Sequence, residues 1–292
     1  MAVIASGWID NNVGSPFWTL DDEGLLSLGG GMVDWPGGEN RLVGNQVEWV
    51  PFSPWHDYRY LIKEIELTAP IAGGQSLKNL FYSLNQCTKI SGLSFLDTQG
   101  VVDMSGMFWN MWVVEELDVS AFETGNVTDM SWMFANLWNI ETLAVTALGL
   151  PSTVWDTQNV TTMKAMFLNC KKLNGIDVFG WALDSVTDTS HMFYCNYALT
   201  ALDVANWNVE KIEDMGFMFY NCTGLAFLDV SNWDTAALKT SAWMFVGVDP
   251  QVLDTSLWET SQLVCDGNMY EVIVDNLEIP ECGFEISTNQ KN

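Results

Sequence analysis

Positive charge is scarce in this chain of 292 residues. Lys and Arg together number 11 against 37 Asp and Glu, a formal net charge of -26. A nucleic-acid binder needs a basic footprint, so that class is excluded. Docking on an anionic lipid surface is excluded on the same ground. Histidine is nearly absent, with only His56 and His191. Neither sits beside a nucleophile motif, and no G-x-S-x-G occurs. The six cysteines at 87, 170, 195, 222, 265 and 282 include no C-x-x-C pair. Zinc-ribbon and thioredoxin-like readings therefore fall away, and no cofactor is expected. No run approaches the ~18 apolar residues of a spanning helix, so no membrane insertion is expected. The opening MAVIASGWIDNNVG has neither a basic nor an apolar leader region, so it reads as no signal peptide.

Apolar residues are plentiful, at 48%, with 15 Trp and 14 Met. They are not scattered. Met-Phe occurs at Met107, Met133, Met166, Met192, Met218 and Met244, and Leu80-Phe81 is a degenerate earlier copy. The step is 26 residues except once, where TALGLPS near 146–152 reads as an insertion of seven. Ten residues after each of the first five Met comes an apolar-x-apolar step, as in Leu117-Asp118-Val119 or Leu228-Asp229-Val230. Three residues further, most copies carry an aromatic: Phe122, Trp181, Trp207 or Trp233. Alternation across Leu-Asp-Val predicts a short strand with Leu and Val inward and Asp outward. Val127, Met130, Met133, Phe134 and Leu137 fall on one face at helical spacing, so this half of the unit is expected to be a short helix. Asp or Thr just before such runs would cap it. One unit cannot bury its own apolar face, but stacked units can. The Met-Phe pairs are therefore expected in the core, where Met fills gaps between aromatics.

The string L-x-x-L-x-V-x-x-[WF] is that of a leucine-rich repeat. More narrowly, LDVSAFETGNVTDMSWMF (117–134), WDTQNVTTMKAMFLNC (155–170) and LDVSNWDT (228–235) resemble the bacterial BspA-type repeat, which also occurs in mycoplasma surface lipoproteins. The resemblance covers about residues 77–260. FWTLDDEGLLSLGGGMVDW (17–35) and SPWHDYRYLIKEIEL (53–67) are similar to the lead-in of such proteins. It implies an α/β solenoid of short strands and short helices, with a β N-terminal cap at 1–76, the repeats at 77–260 and a C-terminal cap at 261–292. It also implies a non-enzymatic adhesion or interaction module displayed on a surface, with a protein or surface glycan as partner. Members usually carry an export signal or a lipoprotein cysteine. The absence of either here points toward display on a particle, such as a phage virion.

The outward strand position holds Asp118, Ala144, Asp177, Asp203, Asp229 and Asp254, a carboxylate ladder. Three readings of it stand open: turn stabilisation and solubility, an acidic surface for a basic partner, or a hard-cation site such as calcium. The last needs 6–8 oxygens, more than one strand supplies. Trp109, Trp112, Trp132, Trp138 and Trp243 do not recur in every copy, and one coil has too little interior for all of them. Together Asp118, Asp177, Asp203, Asp229, Phe227, Trp109, Trp132 and Trp138 are the candidate binding residues. The alternative is packing under neighbouring loops. Cys170, Cys195 and Cys222 fall in phase and are expected as reduced core thiols, whereas Cys265 and Cys282 would staple the C-terminal cap in an oxidising setting. Two further functions stay open: an architectural virion protein, such as a decoration or fibre-attachment subunit, and a polysaccharide-cleaving enzyme. The second would need two carboxylates ~5–10 Å apart across a cleft.

Overall fold

The computed structural model describes residues 1–9, 14–43, 46–145 and 155–249, together with 253, 255, 256 and 258. Fourteen strands are described: β1 (Val3–Trp8), β2 (Phe17–Asp21), β3 (Leu25–Leu28), β4 (Gly31–Trp35), β5 (Gly38–Val43), β6 (Gln46–Pro51), β7 (Glu64–Leu67), β8 (Ile71–Leu77), β9 (Lys89–Ser91), β10 (Leu96–Asp97), β11 (Glu116–Asp118), β12 (Thr142–Ala144), β13 (Ala201–Leu202) and β14 (Phe227–Leu228). The chain enters as an antiparallel meander, β1 on β2 and β2 on β3. Pairing then turns parallel. β3 pairs β7 and β7 pairs β9, with Leu26 opposite Ile65 and Ile65 opposite Ile90. A second parallel row runs β4, β8, β10. Parallel stacking thus starts at Leu25, and the β5–β6 hairpin is a side excursion from it. Further along, β11 pairs β12 and β13 pairs β14, each Leu opposite Leu. The copy ending in Ile176-Asp177-Val178 forms no strand, and its Ile176 is only half-buried.

A third row continues the stack through the repeats as single-residue parallel bridges: Ser76, Asp103, Asp129, Thr162, Asp188, Asp214, Thr240. After each bridge come the residues whose spacing predicts a helix. No α-helix forms there or elsewhere among the described residues. The segment is instead a string of tight turns, and its backbone bonds show why. The N–H groups of Gly106, Phe108 and Asn110 donate to Ser131, Met133 and Ala135 of the next coil, at 2.9, 2.9 and 3.0 Å. The N–H groups between them, on Met107 and Trp109, donate back three residues to Met104 and Gly106. Alternate amides therefore leave the coil, which a helix forbids. The same alternation recurs from Met130 to Asn136 and from Met215 to Asn221.

Such a path needs two left-handed residues per coil. They are Asn79 and Ser83, Gly106 and Asn110, Trp132 and Asn136, Ala165 and Asn169, His191 and Cys195, Phe217 and Asn221, Trp243 and Gly247, with φ between 52° and 84°. A non-glycine residue there costs roughly 1–2 kcal/mol, least for Asn. Neighbouring asparagines offset part of this: Asn136 Nδ2 donates to Asn110 Oδ1, and Asn169 Nδ2 to Asn136 Oδ1, both at 2.8 Å. In the next coil this position is Cys195, which is disulfide-bonded. That corrects the expectation of a reduced core thiol at this position. Cys170 and Cys222 are free and buried. Their Sγ groups donate to Phe134 O and Phe193 O of the previous coil at 3.2 and 3.0 Å, and Asn196 Nδ2 does the same for Phe167 O at 2.8 Å. The in-phase cysteine is thus a small buried donor.

The interior is a set of stacked columns. Phe81, Phe108, Phe134, Phe167, Phe193, Phe219 and Phe245 lie ring over ring, with successive centroids 5.4 to 5.8 Å apart. Trp55 of the lead-in caps this column at 5.8 Å. Beside it, Trp155 stacks on Trp181, and Trp233 on both Trp207 and Trp258. Each paired Phe adds about 0.5–1.5 kcal/mol beyond its buried area. The six methionines of the Met-Phe pairs are fully buried. The 146–152 insertion, Asp254, Cys265, Cys282 and the 261–292 cap lie outside the described residues.

Phe193→Ala should lower the unfolding free energy by about 3–5 kcal/mol in denaturant titration, while the far-UV circular dichroism of the parent lacks the double minimum of an α-helix. Burial pushes the thiols of Cys87 and Cys222 up to about 12 and that of Cys170 higher still. Iodoacetamide at neutral pH should leave all three unlabelled in the native protein and label all three on denaturation, with Cys195 modified only after added reductant.

Candidate functional site

The candidate residues fall on separate surfaces. Asp118, Asp177 and Asp203 are exposed at the strand edge and Asp229 is half-buried. Each of three carboxylates closes the turn that follows its apolar-x-apolar step. Asp118 Oδ1 accepts from the Ser120 N–H at 3.1 Å and its hydroxyl at 2.6 Å. Asp229 holds Ser231 in the same way, at 3.1 and 2.7 Å. Asp177 accepts the Phe179 N–H at 3.1 Å. This is local turn chemistry of the Asx kind. Among the described residues, no group of three or more His, Cys, Asp or Glu is placed to hold a metal ion. Phe227, on β14, is 62% exposed.

Trp109 and Trp132 lie on the opposite half of the repeat, in the turn string. Two side-by-side rows run along this turn face. The residue before each Met gives Gly106, Trp132, Ala165, His191, Phe217 and Trp243; the residue after each Phe gives Trp109, Ala135, Leu168, Tyr194, Tyr220 and Val246. Sizes in the first three coils are complementary: glycine with tryptophan, tryptophan with alanine, alanine with leucine. Trp109 packs on Tyr82 at 4.9 Å and on Trp132 at 5.1 Å. His191 stacks on Phe217 at 4.8 Å, Phe217 on Trp243 at 6.3 Å, and Tyr194 on Tyr220 at 4.9 Å. These rings form a second apolar layer outside the main core, and Trp109, Trp132, Phe217 and Trp243 stay half-buried within it. Trp138 belongs to a third place: it is 38% exposed, stacks on Trp112 at 4.9 Å, and carries the Lys171 ammonium 4.8 Å over its ring.

Carboxylates border the turn face. Asp103, Asp129 and Asp188 each accept the N–H and hydroxyl of a serine two residues on, at 2.8 and 2.6 Å. Lys78 lies 3.7 Å from Asp103 and Lys164 lies 3.5 Å from Asp188. Asp214 faces Gly216 instead of a serine, and burial raises its pKa. His191 moves the other way. Its burial, helped by Lys164 and partly opposed by Asp188, lowers its pKa to about 4. The sequence reading missed this layer as a surface because its rings do not share one residue type. The signal available was positional: the residue before Met is aromatic or His in four copies.

The fold and surface define a stacked-coil repeat protein with an aromatic turn face. A family described as "Mycoplasma protein of unknown function, DUF285" matches residues 75–175 and 138–258, well over half of the chain. The chain belongs to that family. No curated protein matches it. Among solved structures, a leucine rich cell surface protein from Faecalibacterium prausnitzii is 15% identical with a TM-score of 0.29, over 65% of this chain and 53% of that one. The chain therefore spans about half the length of that protein. A leucine-rich repeat protein from Eubacterium ventriosum is 14% identical with a TM-score of 0.25, over 94% of this chain and 99% of that one. No helix among the described residues is long and apolar enough to cross a membrane.

The His191 shift gives a pH prediction. Unfolded, His191 binds its proton near its ordinary value of 6.5, but folded only near 4. The unfolded state thus gains protons first, and His191 costs stability progressively as pH falls from 6.5 toward 4. His191→Phe, which copies Phe217 in the next coil, should remove that loss. Subtracting the two stability-versus-pH curves from urea titrations should leave a difference that grows over this window and is flat above pH 7.

Proposed function

We propose that the chain is a non-enzymatic, surface-displayed interaction module built on a leucine-rich-repeat solenoid, and that it binds a protein partner through the turn face. The observation that carries this is the half-buried aromatic layer of Trp109, Trp132, Phe217 and Trp243, which lies outside the main core and is bordered by carboxylates. Aromatic side chains supply large contact area at low entropy cost and dominate binding hot spots. The flanking Asp column and the net charge of -26 suit a partner with cationic groups. The protein's own lysines illustrate the chemistry, Lys171 over Trp138 and Lys164 beside Asp188. The strand-edge Asp residues serve their own turns first, so a calcium ladder is the weaker reading of them.

Display is tested by immunogold electron microscopy on a producing culture. Gold on the cell envelope or on released particles supports it, and gold confined to the cytoplasm overturns it. Binding is tested by titrating the labelled protein onto cells and onto surface protein extracts. The double variant Trp132→Ala, Phe217→Ala uses a residue already tolerated at Ala165, so the left-handed backbone is kept. It should weaken binding at least tenfold, and the parent's affinity should fall as salt rises. Unchanged binding by a folded double variant would remove the turn face as the contact surface.

A further inference from the structure

A groove of about 260 Å³ opens on the strand-edge side, between the coils of Trp181 and Trp207. Its lining includes Phe179, Trp181, Asp184, Asp203, Asn206 and Asn208. Three features set it apart from the corresponding places in other coils. First, Phe179 stands where Ser120 and Ser231 follow their own Asp-Val steps, and it is 59% exposed. The turn uses its N–H, which Asp177 accepts, and among the described residues no hydrogen bond or ring stacking involves the ring. Second, the next coil has Ala205 at this position, which leaves the space beside the ring open. Third, Trp181 is 97% buried, yet its Nε1–H finds no acceptor among the described residues. Trp155, Trp233 and Trp258 each donate to the valine carbonyl of the previous coil, at 3.2, 3.0 and 3.0 Å. An orphaned buried donor costs about 1–3 kcal/mol. The Trp181 Nε1 is itself covered by protein, so it marks a local mismatch in the tryptophan column and gives the groove no donor.

We infer that this groove is a binding site for a neutral pyranose sugar. A pyranose presents an apolar C–H face and a rim of hydroxyls that both donate and accept. The Phe179 ring offers the flat apolar surface for the first. Asp184, Asp203, Asn206 and Asn208 offer acceptors and amide donors for the second, with Asn208 Nδ2 already held to Asp184 Oδ1 at 2.8 Å. Few convergent polar groups around an apolar wall is the usual composition of a small-molecule site. The volume lies just under the ~300–1,000 Å³ typical of such sites, which restricts it to about one ring. Two carboxylates in the lining select against anionic sugars. The inference does not rest on the turn face, which lies on the other half of the repeat.

The test is saturation-transfer difference NMR on the full chain with the methyl pyranosides of D-glucose, D-galactose and D-mannose, and with N-acetylneuraminic acid as the anionic probe. At least one neutral glycoside should receive saturation at its ring C–H protons, and the anionic sugar should not. Phe179→Ser restores what two other coils carry and should abolish the transfer while leaving thermal unfolding unchanged. Asn206→Ala should weaken binding at least tenfold and serves as the second variant if Phe179→Ser fails to fold. No transfer from any neutral glycoside, equal transfer with Phe179→Ser, or transfer to the anionic sugar alone would each overturn the assignment.

Discussion

The register of backbone hydrogen bonds between coils governs the rest of this structure. In the turn string, every second amide reaches a carbonyl one coil onward. That fixes equivalent residues at the spacing of paired strands, ~4.8 Å. Everything at a given repeat position is then forced into a column. Phenylalanine stacks on phenylalanine and methionine lies in line with methionine. A mismatch at one position is met by its neighbours within the same coil, as Gly106 is by Trp109. The columns are the cause of the core's density, and the register is the cause of the columns.

Much of this was legible in the sequence. The 26-residue period, the inward Leu and Val, the Met-Phe core and the burial of Trp181, Trp207 and Trp233 all followed from spacing. The short helix did not survive. Burial at i, i+3 and i+7 reports which side of a tightly turning backbone faces inward. It does not report where the amides point. A helix and a string of turns with left-handed residues every fourth position bury the same side chains. The usual clue to left-handed backbone is glycine or asparagine. Here Asn110, Asn136, Asn169 and Asn221 give that clue at one position. Tryptophan, histidine, phenylalanine and alanine hide it at the other.

The candidate residues were partly legible for a related reason. Strand alternation placed Asp118, Asp177 and Asp203 outward, and they are exposed. Alternation says nothing of a carboxylate's partner, so their work on Ser120 and on the Phe179 amide was not visible from spacing. The candidate tryptophans were chosen because they broke the repeat. That criterion found Trp109, Trp132 and Trp138 but could not tell that the first two share a face and the third does not. The face is set by the left-handed residue, which the sequence concealed.

A repeat fold divides its positions by what the register demands. Positions on the inner columns must match their neighbours above and below, because a void or a bulge propagates along the stack. The turn-face pair and the residue after Asp-Val are bound less tightly. The first accepts glycine with tryptophan or tryptophan with alanine in the early coils and phenylalanine with tyrosine in a later one. The second accepts serine, alanine or phenylalanine, because its amide alone is used. These are the places where a side chain can change without disturbing a column. Half-buried or exposed rings at Trp132, Phe217 and Phe179 therefore carry little of the fold's own requirement, and the same freedom makes them the positions where recognition can be built.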